Sequence, residues 1–158
     1  MVLNISPPQL QAIRAHAQNT YPEECCGLLL GKAVDDQKLV TEVVPTENAW
    51  HAAALEWEDD STNHGKIDRY AIAPQEMLKI QKAARDRDLD IIGIYHSHPN
   101  HPAIPSECDR LYAWQQYSYI IVSVVNGECD DLQNWSLDDR HQFQSENLIV
   151  TERIESLL

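Results

Sequence analysis

The chain has 158 residues and a formal net charge of −13, because 12 lysine and arginine residues stand against 25 aspartate and glutamate residues. This length fits one domain over 1–158, and 43% hydrophobic with 23% charged residues is the composition of a folded globular protein. The excess of acidic over basic residues and the lack of any cluster of basic residues argue against a nucleic-acid partner or an anionic membrane partner.

Other features of the sequence bear on its cellular compartment. The longest apolar runs, 91–95 and 119–125, are far shorter than the roughly 20 residues that cross a bilayer. Residues 1–5 lack the basic and apolar regions of a secretion signal, so we expect a cytoplasmic protein with no membrane partner. The cysteines include one adjacent pair and no Cys-x-x-Cys spacing, which favours reduced, mostly buried thiols over a disulfide framework or a zinc finger. They are Cys25, Cys26, Cys108 and Cys129.

The first half of the chain predicts a helix, a pair of strands and a long loop. A serine cap followed by two prolines predicts a helix from residue 6 to about residue 19, with apolar residues at three- and four-residue spacing. Continuous apolar character predicts a strand over 25–31, and alternation predicts its partner over 39–44, with a turn over 32–38 between them. The segment 46–68 has no clean period, which predicts a long loop that is either functional or mobile.

The second half of the chain predicts two more helices and four more strands. Pro74 begins a helix that runs to about residue 88, and Ser106 begins another that runs to about residue 116. Gly127 and the pair 130–131 mark a turn. The predicted strands lie over 91–95, 119–125, 132–136 and 148–151. This order of elements predicts an α/β sandwich with a mixed sheet.

One constellation of residues carries recognisable chemistry. His96 and His98 follow a buried strand and are two residues apart, so an extended backbone points both imidazoles to the same side. Asp109 falls in the first turn of the next helix, and two histidines with one carboxylate are the ligand set of a hydrolytic zinc site. Each part also has an ordinary reading, since His-x-His is common as a surface pair and Ser106-x-x-Asp109 is typical of a helix cap.

Taken together, the string from His96 to Asp109 resembles the JAMM (MPN-plus) metalloprotease motif, His-x-His-Pro, six residues, then Ser-x-x-Asp. The resemblance implies a cytidine-deaminase-like α/β sandwich with a mixed, curved sheet flanked by helices. It also implies one Zn²⁺ per chain, held by His96, His98 and Asp109, with Ser106 hydrogen-bonding the tetrahedral intermediate. A zinc ion with three protein ligands activates a water for attack on a carbonyl.

The segment 22–31 is similar to the Pro-x-Glu-x-Cys-Gly opening of the same family. In that register Glu24 is the general base, which takes a proton from the water and passes it to the leaving amine. Glu23 is its neighbour, and either glutamate is otherwise an ordinary solvated residue before a strand. The stretch 49–68 is longer than we expect for a compact prokaryotic member and forms either a substrate-facing flap or a mobile insertion.

Other histidine and cysteine residues are further candidates for metal binding. His101 lies in the motif loop, where an exposed histidine is favoured over a group that supports the ligands. Cys108 adjoins Asp109, but neighbouring helix residues point about 100° apart, which favours a buried structural thiol. A second zinc site at His51 and His64 lacks the spacing of a recognised ligand set.

The resemblance implies a zinc-dependent metallopeptidase or isopeptidase of the compact prokaryotic branch. Its expected substrate is a peptide or isopeptide bond at the C-terminus of a ubiquitin-like or sulfur-carrier protein, whose tail pairs with an exposed strand edge. The alternative is a non-catalytic MPN scaffold that binds protein partners. A purely structural zinc domain is disfavoured because it needs four protein ligands. The sequence leaves the oligomeric state open.

Overall fold

The computed structural model describes residues 1–50 and 64–152. Its elements, in chain order, are β1 (Val2–Ile5), α1 (Pro7–Thr20), β2 (Cys26–Val34), β3 (Gln37–Thr46), α2 (Pro74–Asp86), β4 (Asp90–Pro99), α3 (Glu107–Leu111), β5 (Ser118–Val125), β6 (Glu128–Leu137), β7 (Phe143–Ser145) and β8 (Asn147–Val150). Most of the loop predicted over 46–68 lies outside the described residues. Among the described helices, none combines the length and apolar character needed to cross a membrane.

The eight described strands form one mixed sheet in the order β7-β6-β5-β4-β2-β3-β1-β8. β4 is parallel to β5, β1 is parallel to β3 and β8, and the other pairs are antiparallel. Because β7 and β8 stand at opposite ends of this order and only Glu146 separates them along the chain, the sheet must curve until its edges meet. The Glu146 N–H donates to the Asn134 carbonyl oxygen of β6 at 3.0 Å. The predicted α/β fold with a mixed, curved sheet is confirmed.

Both faces of the sheet are apolar and are covered by helices. α1 begins with the predicted cap, in which the Ser6 N–H donates to Gln9 Oε1 at 2.9 Å and the Gln9 N–H donates to Ser6 Oγ at 3.4 Å. Its buried residues are Leu10, Ile13 and Ala17. Successive strand residues point to opposite faces, so Leu29 of β2 packs in the core under α1, whereas Leu28 packs in a second core with Ala84 of α2.

The helix predicted over 106–116 is wrong in length, because α3 ends at Leu111. Beyond that residue the backbone leaves helical geometry, and Ala113 and Tyr117 are buried in the second core. Most of the stability of a short helix comes from tertiary packing, so the burial of these two side chains decides where α3 stops.

Two predicted turns are shorter or shifted. The turn predicted over 32–38 is confined to the residues between β2 and β3, where Asp35 adopts a φ of 55°. The turn predicted at Gly127 and 130–131 is confirmed at Gly127 but does not reach 130–131, because the β5–β6 hairpin turns at Asn126 and Gly127, whose φ values are 51° and 86°. Two successive residues with positive φ are what a two-residue hairpin loop requires. The sequence analysis also missed β1 and β7, which are too short to give a clear alternation.

A buried ion pair joins β3 to the residue between β7 and β8. Lys38 of β3 and Glu146 are 4% and 6% exposed, and Lys38 Nζ lies 3.5 Å from Glu146 Oε2. Lys38 Nζ also donates to Ser118 Oγ at 2.8 Å, and Ser118 Oγ donates in turn to the Glu146 carboxylate. Burial lowers the pKa of Lys38, while Glu146 opposes that shift. The Lys38 ammonium and the Glu146 carboxylate therefore offset each other's cost of burial.

We expect Glu146→Gln to lower the free energy of unfolding by about 3 kcal/mol, because it leaves a buried ammonium without its counter-charge. Asp88→Asn is the matched control, since it breaks the exposed Lys32–Asp88 pair at a residue whose φ of 58° asparagine also tolerates. The control should change stability little. Urea unfolding of both variants measures the difference, and equal effects would contradict the stabilising role of the buried pair.

Candidate metal centre

The two histidines of the site are delivered by the central strand β4. This strand lies between β2 and β5, and His96, Ser97 and His98 are all buried at its carboxyl end. The period of two places both imidazoles on one side, as predicted. Asn100, with a φ of 59°, then turns the chain back toward the strand. The turn positions α3 so that its first residues face the histidines.

Ser106 and Asp109 form the cap of α3, and the same geometry orients the carboxylate. The Asp109 N–H donates to Ser106 Oγ at 3.0 Å, and the Ser106 N–H donates to Asp109 Oδ2 at 2.8 Å. The helix-cap reading of Ser106-x-x-Asp109 is therefore confirmed. It does not compete with a ligand role, because Asp109 Oδ2 also faces both histidines.

Three candidate ligand atoms converge at this point. Nε2 of His96 lies 3.1 Å from Nε2 of His98, and Asp109 Oδ2 lies 3.3 Å from the first and 3.1 Å from the second. Ligand atoms about 2.0 to 2.1 Å from a tetrahedral ion are about 3.3 Å from one another. The triangle of donor atoms therefore has the size that a small divalent ion needs.

The protonation pattern of the cluster also fits a cation. His98 Nδ1 lies 2.8 Å from the Pro102 carbonyl oxygen, which only accepts hydrogen bonds, so this nitrogen carries the proton and Nε2 presents a lone pair. Burial lowers the pKa of His96, with Asp109 opposing the shift, which favours a neutral ring. The imidazole lone pairs and the Asp109 carboxylate are all electron-rich, so a cation bound between them would stabilise this arrangement.

The ring of His96 is held by stacking. The Tyr70 ring lies 4.3 Å from the His96 ring, centroid to centroid, at an interplanar angle of 21°. Among residues 1–50 and 64–152, the buried Nδ1 of His96 has no hydrogen-bond partner. Metal-binding histidines are usually oriented by a hydrogen bond from the second ring nitrogen, and here the aromatic contact takes that place.

We expect Tyr70→Leu to weaken Zn²⁺ binding about tenfold, because it frees the orientation of the His96 ring. Tyr70→Phe keeps the stacked ring and should bind zinc as tightly as the wild type. Competition against a chromophoric chelator measures both affinities. If Tyr70→Leu binds Zn²⁺ as tightly as the wild type, Tyr70 does not position the His96 ring.

Glu24 is placed beside the cluster by the backbone just before β2. The Cys25 N–H donates to Ser97 Oγ at 2.8 Å, and the Ser97 N–H donates to the Cys25 carbonyl oxygen at 3.2 Å. The Glu24 N–H donates to the Lys66 carbonyl oxygen at 2.7 Å, which fixes the preceding backbone. These bonds bring residue 24 next to the strand end that carries both histidines.

The two adjacent glutamates have opposite environments. Glu24 is 4% exposed, whereas Glu23 is exposed. Burial raises the pKa of Glu24 well above its ordinary value of 4.5, Asp109 and Asp68 raise it further, and Arg69 opposes the shift. Of the two, only Glu24 is therefore coupled to the candidate metal ligands.

Among the described residues, His101, Cys108 and His64 are not part of the three-residue cluster. His101 is exposed in the loop after β4, as expected. Cys108 is only half-buried and lines a cavity with Asp109, so the expectation of a buried thiol is wrong. His64 Nδ1 pairs with Asp68 at 2.7 Å, and His51 lies outside the described residues. The sequence analysis gave no role to Tyr70 or Ser97, because contacts between distant segments leave no local pattern.

One cavity is lined by the candidate ligand Asp109, and a second is lined by Glu24 but by none of the candidate ligands. The first, which we call the apolar cavity, has a volume of about 460 Å³. It is lined in part by Tyr70, Ile72, Met77, Cys108, Asp109 and Trp114. The second, which we call the polar cavity, has a volume of about 390 Å³. It is lined in part by His16, Glu23, Glu24, Glu47, Asn48 and Lys66.

A curved mixed sheet with a His-x-His strand end and a capped Asp helix defines a JAB-type domain. Residues 6–138 match the family described as prokaryotic homologs of the JAB domain. The chain belongs to this family. It is 32% identical to a desampylase of Haloferax volcanii over 115 residues, which are 72% of each chain. It is 28% identical to a CysO-cysteine peptidase of Mycobacterium tuberculosis over 139 residues, 87% of this chain and 84% of the relative.

The fold is also similar to solved structures. The solution structure of protein DSY2949 from Desulfitobacterium hafniense has a TM-score of 0.78 and 26% identity, and the alignment covers 99% of this chain and 97% of the other. An alignment of this extent takes in every described element, including the strand and helix that carry the candidate ligands.

Proposed function

We propose that this chain is a zinc-dependent metallopeptidase or isopeptidase that hydrolyses bonds at the C-terminus of a ubiquitin-like or sulfur-carrier protein. The observation that carries the proposal is the convergence of three lone-pair donors, from His96, His98 and Asp109, beside a buried glutamate. The named activities of the desampylase and the CysO-cysteine peptidase support the choice of substrate. The four free cysteines support a reducing compartment, the cytoplasm, as the place of action.

In this proposal Nε2 of His96, Nε2 of His98 and Oδ2 of Asp109 hold the Zn²⁺. The bound ion supplies Lewis acidity to the scissile carbonyl and a lowered pKa to a coordinated water. The Pro102 carbonyl oxygen fixes the tautomer of His98, and the cap of α3 fixes the carboxylate. The chain thus orients each ligand before the ion arrives.

Glu24 moves the proton. Its carboxylate accepts a proton from the attacking water and delivers it to the nitrogen that leaves. A general base works best when its pKa lies near the working pH, and burial shifts the pKa of Glu24 in that direction.

Ser106 stabilises the oxyanion that forms on the attacked carbonyl. Its Oγ accepts the Asp109 N–H, so the hydroxyl proton is left to be donated to substrate. The short helix α3 holds this hydroxyl next to the carboxylate ligand. A fixed donor costs little reorganisation when charge develops in the transition state.

We expect Ser106→Ala to lower kcat about 100-fold, in the range found when one oxyanion donor is removed. The same change also removes the cap of α3, so we expect a loss of stability of about 1 kcal/mol. Ser106→Thr retains a hydroxyl and is the matched control. Steady-state kinetics with thermal unfolding of both variants separates the two effects, and an unchanged kcat in the alanine variant would exclude the oxyanion role.

The test of the proposed function is cleavage of defined adducts by zinc-loaded protein. The substrates are a ubiquitin-like protein and a sulfur-carrier protein, each extended at the C-terminus by one amino acid or by an isopeptide-linked lysine peptide. Intact mass spectrometry should record release of the added group, its loss after chelation and its return after Zn²⁺ is restored. Binding of these proteins without cleavage of any adduct, with metal bound, would favour a non-catalytic scaffold.

A further inference from the structure

The side chain of Asn48, two residues after the end of β3, uses its whole hydrogen-bonding capacity on nearby backbone. Its Nδ2 donates to the Glu24 carbonyl oxygen at 3.1 Å and to the Arg69 carbonyl oxygen at 2.9 Å. Its Oδ1 accepts the Trp50 N–H at 3.1 Å and the Ala71 N–H at 3.2 Å. A carboxamide has two donor protons and two acceptor lone pairs, so these bonds occupy all of them.

Two of the bonds hold the backbone of Tyr70. The carbonyl oxygen before Tyr70 and the N–H after it are both bonded by Asn48. Both groups lie in the stretch 69–73, which forms neither helix nor strand, so they depend on a side chain for the hydrogen bonds that a sheet would otherwise supply. The ring that this backbone carries stacks on the His96 ring, with the centroids 4.3 Å apart. Asn48 therefore acts on the orientation of a candidate metal ligand through Tyr70.

A third bond holds the backbone of Glu24. The peptide that follows Glu24 is fixed at both ends, since its carbonyl oxygen accepts from Asn48 and its N–H donates to Ser97 Oγ. Ser97 is the residue between the two histidines of β4. The peptide plane after Glu24 is therefore held between Asn48 on one side and the strand of the candidate ligands on the other.

One planar group thus bonds two parts of the site that must stay in register. Without the carboxamide, the Glu24 carbonyl oxygen and the backbone on both sides of Tyr70 lose these partners, and each part can shift relative to the other. A displacement of about 1 Å can lower a rate about 100-fold, because proton transfer and attack need aligned groups. A metal ligand whose support is loosened likewise binds its ion more weakly.

We propose that Asn48 is a positioning residue that fixes Glu24 and Tyr70 relative to each other, and through Tyr70 the ring of His96. The inference rests on the proposed hydrolysis for the role of Glu24, whereas the role of Tyr70 concerns metal binding alone. The chemistry of the amide is essential to it, because an aspartate at position 48 would turn a carboxylate oxygen toward two carbonyl oxygens.

Asn48→Ala tests both effects in zinc-loaded protein. We expect kcat for a cleavable adduct to fall about 100-fold with little change in KM. We expect the dissociation constant for Zn²⁺, from competition with a chromophoric chelator, to rise about tenfold, as in Tyr70→Leu. An unchanged kcat or an unchanged zinc affinity in Asn48→Ala would overturn the inference.

Asn4→Ala is the matched control for the loss of a buried amide. Asn4 is 3% exposed, and its Nδ2 donates to Gln37 Oε1 and to the Lys38 carbonyl oxygen. It lies in β1, which β2 and β3 separate from β4 in the sheet. We expect it to lower the unfolding temperature and to leave kcat and zinc affinity at wild-type values.

Double variants separate positioning from a general loosening of the fold. In a Tyr70→Leu background, Asn48→Ala should weaken zinc binding no further, because the contact through which it acts is already gone. In a Glu24→Gln background, Asn48→Ala should lower the single-turnover rate no further for the same reason. Losses that add in either background would show a diffuse structural effect and would overturn the positioning role.

Nuclear magnetic resonance of the ¹⁵N-labelled wild type needs no variant to fold. Both Nδ2 protons of Asn48 are bonded to carbonyl oxygens, so we expect them to exchange with solvent on the order of 100-fold more slowly than those of the exposed Asn126. Equal exchange rates would contradict the inference. If no adduct is cleaved, the proposed function fails, while the zinc affinities and these exchange rates still decide whether Asn48 holds Tyr70 and the backbone of Glu24.

Discussion

Glu24→Gln is expected to lower kcat about 10³-fold while zinc stays bound, because glutamine has the size of glutamate and cannot accept a proton. A loss of that size corresponds to about 4 kcal/mol of transition-state stabilisation. The metal ligands are not altered by this change, so the zinc content should stay near one ion per chain. Single-turnover kinetics on a cleavable adduct and metal analysis of the same sample measure both quantities.

Stability provides an independent readout for Glu24. Burial raises its pKa in the folded protein above the ordinary 4.5, so the native state binds the proton more tightly than the unfolded state. The stability that this group contributes is therefore present below pH 4.5 and is lost as the pH rises through the folded pKa. Metal-free Glu24→Gln has no such group, so at neutral pH its unfolding temperature should equal or exceed that of the wild type.

Glu128→Gln, at the exposed start of β6, is the matched control for Glu24→Gln. It should not change the rate. A Glu24→Gln protein that keeps its metal and its full rate would assign the proton transfer to another group. The buried position of Glu24 and its coupling to Asp109 would then have only a structural meaning.

The metal cluster was predictable because all of its ligands lie within fourteen residues of sequence. A strand of period two fixes the relation of His96 to His98, and a capped helix fixes that of Ser106 to Asp109. Glu24 was predictable only through the register of the family resemblance, since a lone glutamate before a strand has no local signature. Glu24 is buried and Glu23 is exposed, which is the physical reason why the register assigns the general base to Glu24.

What the sequence could not predict depends on contacts between distant segments. Tyr70 stacks on His96 across 26 positions, and Ser97 Oγ accepts the Cys25 N–H across 72. The early end of α3 follows from burial of side chains beyond it, which outweighs helix propensity. The two cavities likewise lie between distant segments, since the first is lined by residues of α2, β4 and α3 and the second by residues of α1 and the end of β3.

His98→Ala is expected to reduce bound zinc from about one ion per chain to near none, because two remaining ligands do not hold a zinc ion in a three-ligand site. The loss should appear in mass spectrometry of protein purified without chelator. It should also appear in unfolding, since a ligand that binds only the native state raises its stability and the variant should gain none from added Zn²⁺.

His101→Ala is the matched control for the metal experiment, because His101 lies three residues away in the loop after β4 and is exposed. It should keep the zinc and the stabilisation that zinc brings. Equal zinc in His98→Ala and in the wild type would place the ion at another site. A folded wild type that stays metal-free after added Zn²⁺ would mean that the lone pairs of His96, His98 and Asp109 are satisfied by protons, and the scaffold alternative would then explain the fold.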